Sequence, residues 1–121
     1  MPLTLLPDDI TALAARVVAE NAAAGRTVAI AESCTGGLVA GALTEIAGSS
    51  AVLDRGFVTY SNEAKMEMLG VASDIIETFG AVSVACVWAM AKGVLERSNA
   101  ECSSMLRFSA KIYRCRCRAW K

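Results

Sequence analysis

The stretch that decides the fold is TVAIAESCTGG, residues 27–37. Its first five residues are apolar or β-branched and too few for a helix, so they predict a buried strand over 27–31. A turn with two adjacent glycines follows, and LVAGALTEI (38–46) then has the composition of a helix despite Gly41. Strand, glycine-containing turn and helix in this order are typical of an open α/β sheet, where such a turn lies at the carboxyl end of a strand.

The rest of the chain also alternates helical and strand-like segments. The predicted elements are a helix from Asp8 or Asp9 to Gly25, a strand over 51–61 broken at Gly56, a helix over 63–69 capped by Asn62, a helix from Ser73 or Asp74 to 79, and a long helix over 83–97. Strands interleaved with helices predict an α/β domain.

The chain is 121 residues long, which accommodates one domain. Residues 1–100 contain six Lys or Arg and eleven Asp or Glu, whereas residues 101–121 contain six and one. All nine glycines lie at or before Gly93. We therefore predict a folded domain over 1–100, followed by a basic, Cys- and Arg-rich tail over 101–121.

Composition excludes several kinds of protein. The chain contains no histidine, which excludes Ser-His-Asp and Cys-His catalysis and His-based zinc sites within one chain. The longest run without a charged residue, 78–91, is fourteen residues, whereas a membrane-spanning helix needs about 20 apolar residues. The start MPLTLLPDDI does not resemble a secretory signal. We expect a cytoplasmic protein without a membrane or nucleic-acid partner.

Residues 32–37, ESCTGG, are the first candidate for chemistry. Ser33, Cys34 and Thr35 are adjacent potential nucleophiles at the start of a predicted helix, where the helix dipole and free amides favour a phosphate or an oxyanion. A capping turn whose glycines permit tight packing explains the same residues. The hexapeptide matches neither the P-loop nor the dinucleotide-binding pattern, so the motif alone leaves both interpretations open.

Residues 59–65, TYSNEAK, are the second candidate, at a predicted junction between strand and helix. If this junction lies at the same sheet edge as the first turn, Tyr60 and Lys65 can reach Ser33. A lysine shielded from water can serve as the base for a serine nucleophile. A solvated surface lysine on a short helix is the alternative.

A larger pattern resembles a known family. The run AESCTGGLVAGALTEIAGSSAVLDRGFVTYSNEAKMEMLGV (31–71), followed by GAVS and MAKGVLERSNA, is similar to the CinA C-terminal domain family over roughly residues 8–100. The resemblance implies a three-layer α/β/α fold, incomplete at its C-terminal end. It also implies a nicotinamide-nucleotide amidohydrolase, which converts nicotinamide mononucleotide to nicotinic acid mononucleotide and ammonia without metal or cofactor.

The same resemblance implies roles for individual residues. Ser33 is the expected nucleophile, and Lys65 and Tyr60 are its expected activating partners. The expected substrate-binding residues are the neighbouring positions of the two motifs: Glu32, Cys34, Thr35, Gly36, Gly37, Ser61 and Asn62. Cys34 remains an alternative nucleophile, because thiolates are intrinsically reactive.

One family signature is missing. Where members continue into an apolar strand and a TGIAGPGG-like loop, this chain reads ECSSMLRFSAKIYRCRCRAWK, either a natural tail or the product of another reading frame. Without glycines, residues 101–121 cannot form such a phosphate- or oxyanion-binding loop. We therefore expect little amidohydrolase activity from this chain and an exposed sheet edge that favours self-association.

The remaining cysteines and the tail offer weaker candidates. Cys86 has an apolar position on the long helix and is predicted to lie in the core. Cys102, Cys115 and Cys117 match zinc spacing poorly, and we expect them to be reduced and without function. Basic residues with Tyr113 and Trp120 could contact RNA or a membrane surface, but we expect a disordered or poorly packed end.

Three functions are therefore compatible with the sequence. They are an amidohydrolase, a non-catalytic nucleotide-binding module, and a truncated product that assembles with other copies of itself. In each case we expect a homo-oligomer.

Overall fold

A computed structural model describes residues 4–100, 102–107 and 110–115, with side chains for residues 4–100. The helices and strands, in chain order, are α1 (Asp8–Ala23), β1 (Val28–Glu32), α2 (Leu38–Thr44), β2 (Leu53–Val58), α3 (Asn62–Leu69), α4 (Ser73–Phe79), α5 (Val84–Glu96), β3 (Cys102–Arg107) and β4 (Ala110–Cys115), with a 3-10 turn at Ser49–Ala51. The predicted alternation of helices and strands over residues 8–97 is confirmed.

The four described strands form one sheet in the order β2-β1-β3-β4. β1 is parallel to both of its neighbours, and β4 is antiparallel to β3. β1 is therefore internal, and all five of its residues are buried. This confirms the predicted buried strand, displaced by one residue toward the turn.

Alternate residues of β1 face two separate cores. Val28 and Ile30 pack in a cluster with residues of α1 and α2, whereas Ala29 and Ala31 pack in a cluster with residues of α3 and α5. Helices therefore cover both faces of the sheet, which is the expected three-layer α/β/α arrangement. Cys86 is fully buried in the second core, as predicted.

A close helix contact places α3, the helix that carries Lys65. A Cβ atom on Gly93 of α5 would lie 2.0 Å from the carbonyl oxygen of Leu69, the last residue of α3. Arg97 Nη1 also donates a hydrogen bond to this oxygen, at 3.2 Å. Because only a hydrogen fits at position 93, α3 and α5 approach more closely there than any larger residue would allow.

Several predicted helix starts are wrong by one residue. Pro7, Ser61 and Ala72 precede α1, α3 and α4, so Asp8, Asp9, Asn62, Ser73 and Asp74 lie in first turns and do not act as N-caps. The Ser61 hydroxyl accepts the amide of Ala64 at 3.0 Å and takes the capping role predicted for Asn62. Competing Ser, Asp and Asn side chains at adjacent positions explain the ambiguity.

The predicted break of β2 at Gly56 is also wrong, since the strand continues through this residue. A Cβ atom on Gly56 would lie 3.3 Å from the Cβ of Ala40 on α2. The glycine therefore provides room for the helix against the sheet and does not interrupt the strand.

The expected disordered end is wrong for residues 102–107 and 110–115, which form β3 and β4. β3 pairs along β1, with Val28 opposite Cys102, and fills the position next to the central strand. Tyr113 lies within β4, whereas Cys117 and Trp120 lie outside the described residues. None of the described helices is long and apolar enough to span a membrane.

Candidate active site

The two motifs found in the sequence meet at one edge of the sheet. β1 and β2 are parallel neighbours, with Glu32 opposite Val58, so the turns that follow them start side by side. The amide of Thr59 donates to the carbonyl oxygen of Glu32 at 2.8 Å, and the Thr59 hydroxyl donates to the same oxygen at 3.4 Å. The condition placed on the second motif, a shared sheet edge, is therefore met.

The ESCTGG turn requires its glycines. Gly36 and Gly37 have φ values of 62° and 104°, which disfavour any residue with a Cβ. A Cβ at Gly37 would lie 3.5 Å from Val58 Cγ2 on the neighbouring strand, an ordinary van der Waals contact, so the backbone conformation and not a lack of space favours glycine there. The turn thus folds back against β2 and leaves Ser33 half-buried and Cys34 exposed.

Glu32 anchors this turn from inside the protein. The residue is 1% exposed. Its Oε1 accepts hydrogen bonds from the Thr35 hydroxyl at 2.7 Å and from the Val39 amide at 2.9 Å, and its Oε2 accepts from the Ala40 amide at 3.2 Å. Predicted as a substrate contact, Glu32 in this structure directs both carboxylate oxygens to groups of the protein itself.

These contacts change what α2 can offer to a ligand. The amides of Val39 and Ala40 bond to Glu32, and the amide of Leu38 donates to the Thr35 carbonyl at 3.1 Å. The prediction that the first amides of this helix are free for an anion is therefore wrong, because a side-chain carboxylate already occupies them. No sequence pattern distinguishes an internal carboxylate of this kind from a binding residue.

Lys65 is buried, with an exposed fraction of 2%. Its Nζ donates a hydrogen bond to the main-chain carbonyl oxygen of Tyr60 at 2.7 Å. Among the side chains of residues 4–100, no carboxylate forms an ion pair with it, and no hydrogen bond joins it to Ser33. The alternative of a solvated surface lysine is therefore wrong.

The other residues of the second motif line the outside of this junction. The Tyr60 side chain is 75% exposed, and Ser61 and Asn62 are exposed at the start of α3. The buried residue that sequence reasoning missed is Thr59, which ties the end of β2 to the main chain of Glu32. A β-branched residue at a strand end is the only sequence signal for it.

Cys86 lies close enough to Lys65 for their charges to interact. Burial raises the pKa of the Cys86 thiol, and the Lys65 ammonium partly opposes this rise. Cys86 therefore belongs to an apolar core that lies within electrostatic range of Lys65. Among the described residues, no three Cys, Asp or Glu side chains are grouped so as to hold a metal ion.

Comparisons with known proteins agree with this architecture. A model of the CinA C-terminal domain matches residues 10–104. The nicotinamide-nucleotide amidohydrolase PncC of Enterobacter agglomerans is 55% identical over 89 residues, which are 74% of this chain and 54% of the relative. A CinA-like protein of Chlorobium limicola is 51% identical over 86 residues, 71% of this chain and 19% of that protein.

Solved structures have the same fold. The competence/damage inducible protein CihA from Agrobacterium tumefaciens has a TM-score of 0.84 and 54% identity, with 87% of this chain and 64% of that chain covered. The competence damage-inducible protein A from Klebsiella pneumoniae has a TM-score of 0.78 and 38% identity, with coverages of 79% and 60%. This chain therefore spans about half the length of the Enterobacter relative and under two thirds of either solved chain.

Proposed function

The chain belongs to the CinA C-terminal domain family, and from this membership and the geometry of the site we propose that the domain is a nicotinamide-nucleotide amidohydrolase. The reaction is hydrolysis of the carboxamide of nicotinamide mononucleotide to give nicotinic acid mononucleotide and ammonia. The Enterobacter relative carries this activity in its name. No cofactor or metal takes part in the proposed reaction, and a small molecule is the proposed substrate.

Ser33 is the proposed nucleophile. Its hydroxyl oxygen attacks the carboxamide carbon, the carbon–nitrogen bond breaks, and ammonia leaves with the proton that the hydroxyl lost. The resulting ester on Ser33 is then hydrolysed by water, which yields the carboxylate and restores the hydroxyl. The half-buried position of Ser33 in a turn held by two glycines supports this role.

Lys65 is the proposed base that transfers this proton. Its burial keeps bulk water away from the amine, and no carboxylate among the described side chains forms an ion pair with it. The bond from Nζ to the Tyr60 carbonyl fixes the direction of the lysine side chain at the same junction. We propose that the exposed Tyr60 ring assists from the rim.

The proposed substrate contacts are the remaining residues of the two turns. Cys34, Thr35, Gly36 and Gly37 belong to the first turn, and Ser61 and Asn62 to the second. Glu32 belongs to this set only through its backbone, because its carboxylate is hydrogen-bonded inside the protein. The single observation that carries the proposal is that the parallel pairing of β1 and β2 brings a buried lysine and the serine turn to one sheet edge.

The proposed activity of the 121-residue chain itself is low. Residues 101–121 contain no glycine, whereas the Gly-rich second motif of the family is expected to bind the phosphate or the oxyanion through its amides, and loss of one oxyanion donor costs about 10²- to 10³-fold in rate. A homo-oligomer in the cytoplasm remains our proposal for the assembled protein. The position of β2 at an edge of the described sheet supports association, since an unpaired strand edge can pair with another chain.

The test compares two chains. The first is the 121-residue protein, and the second, called the completed chain below, joins residues 1–100 to the corresponding C-terminal segment of the Enterobacter relative. We expect the completed chain to release ammonia and nicotinic acid mononucleotide in equal amounts from nicotinamide mononucleotide, and the 121-residue chain to release far less. Absence of both products from a folded completed chain would refute the proposed function.

A further inference from the structure

We propose that Glu32 is a positioning residue whose buried carboxylate fills the N-terminus of α2 as an internal anion and thereby holds the turn that carries Ser33. It follows that the phosphate of the substrate binds away from the first turn of α2. The consequence for chemistry rests on the proposed function, whereas the positioning itself does not.

The hydrogen bonds of Glu32 connect each part of the turn to the sheet. Its carboxylate contacts Thr35 in the middle of the turn, and Val39 and Ala40 at the beginning of α2. Its backbone carbonyl receives two hydrogen bonds from Thr59 on the other motif. Glu32 therefore links the end of β1, the turn, the helix and the second motif. Ser33 is the next residue in the chain.

The position suits a side chain that accepts several hydrogen bonds. A buried charge is costly unless its hydrogen bonds are complete, and here a hydroxyl and two amides at the positive end of a helix provide them. Oε1 accepts two donors and Oε2 accepts one. A ligand anion would have to displace Glu32 to reach the Val39 and Ala40 amides.

The geometry also predicts how substitutions differ. In Glu32→Gln the carbonyl oxygen can replace Oε1, but the NH₂ group then points at the Ala40 amide, so that two donors face each other. Glu32→Asp keeps the charge on a side chain one methylene shorter. Thr35→Val keeps the carboxylate and removes a single donor. We therefore expect Glu32→Gln to weaken the hydrogen bonding of the turn more than Thr35→Val does.

The first readout is amide hydrogen exchange in the 121-residue protein. We expect the Ala40 amide to exchange at least about tenfold faster in Glu32→Gln, since a hydrogen bond to a buried charged group is lost. Glu77→Gln, an exposed acid on α4, is the matched control and should change nothing. Retained protection of Ala40 in folded Glu32→Gln would overturn the proposal. If Glu32→Gln does not fold, Glu32→Asp decides by the same measurement: faster exchange of Ala40 than in the parent supports the proposal, and exchange at the parental rate overturns it.

The second readout is the rate at which a sulfonyl fluoride labels Ser33 in the completed chain, followed by mass spectrometry. We expect slower labelling in Glu32→Gln at temperatures where it remains folded, with partial recovery in Glu32→Asp. A lower melting temperature with unchanged labelling would show a merely structural role and overturn the positioning claim. If the completed chain is not labelled, the proposed function fails, and hydrogen exchange alone then decides whether Glu32 positions the turn.

Discussion

Lys65 Nζ donates a hydrogen bond to the carbonyl oxygen of Tyr60 at 2.7 Å, and Lys65 is only 2% exposed. The two residues belong to one short segment, so the first turn of α3 directs its own lysine back toward the loop that precedes it. The cost of burying the amine is reduced by this bond, but no carboxylate among the described side chains compensates it. Such a lysine is suited to proton transfer more than to stability.

Lys65→Met should therefore affect turnover more than folding. In the completed chain we expect a loss of about 10²- to 10⁴-fold in kcat, the range for general acid-base assistance, with a small change in melting temperature. The matched control is Lys92→Met on α5, which should leave kcat unchanged. Lys92 is exposed, and its Nζ lies 3.9 Å from Glu96 Oε1. An unaltered rate in Lys65→Met would assign the residue a structural role.

Cys34 is exposed next to the proposed nucleophile, so its contribution can be separated from that of Ser33. We expect Cys34→Ala to retain most of the kcat of the completed chain, because the substitution leaves the backbone of the turn and the Ser33 hydroxyl in place. The measurement is steady-state ammonia release. An inactive but folded Cys34→Ala protein together with an active Ser33→Ala protein would make the thiol the nucleophile.

Gly93 sets the approach of α3 to α5. Gly93→Ala would place a methyl group 2.0 Å from the Leu69 carbonyl oxygen, so we expect overpacking to lower the free energy of unfolding by about 1–3 kcal/mol. Gly41→Ala in α2 is the control, because no atom lies within 4 Å of its Cβ position. It should raise stability by up to about 1 kcal/mol through helix propensity. Denaturant unfolding of both variants measures the difference, and equal effects would contradict it.

The pKa of the Cys86 thiol predicts a pH dependence. Burial raises this pKa above its ordinary value of 9.0, with Lys65 opposing the rise. The thiol of the unfolded chain therefore ionises first as the pH increases, so its contribution to stability is complete below about pH 9 and is lost as the pH rises through the higher pKa of the folded state. Stability should fall less steeply above pH 9 in Cys86→Ala than in the parent or in Cys34→Ala. Equal slopes in all three proteins would contradict this.

The parts of the fold that depend on neighbouring residues could be predicted from the local sequence pattern. The apolar run of β1 and the glycines of the first turn were sufficient to place the sheet edge, since their positions depend on backbone conformation and local burial. The burial of Lys65 was not evident from its segment, because burial depends on the tertiary packing around α3. The inward direction of Glu32 likewise depends on where α2 begins after the turn.

The strands of the tail were missed for a related reason. Residues 102–105 of β3 pair with residues 28–31 of β1, and β4 then pairs with β3. The sequence there is basic and lacks glycine, which favoured an irregular end. Without β3, however, one edge of β1 would be unpaired, and such an edge can pair with an adjacent segment whatever the charge of that segment. Tertiary pairing thus outweighed composition.

The most direct test of the account is the rate of ammonia release from nicotinamide mononucleotide by the completed chain and by its Ser33→Ala variant, with circular dichroism to show that both are folded. The account predicts release in the parent and, in Ser33→Ala, a rate at the level of the uncatalysed reaction. Release by Ser33→Ala at the parental rate would contradict the claim that the turn after β1 carries the nucleophile.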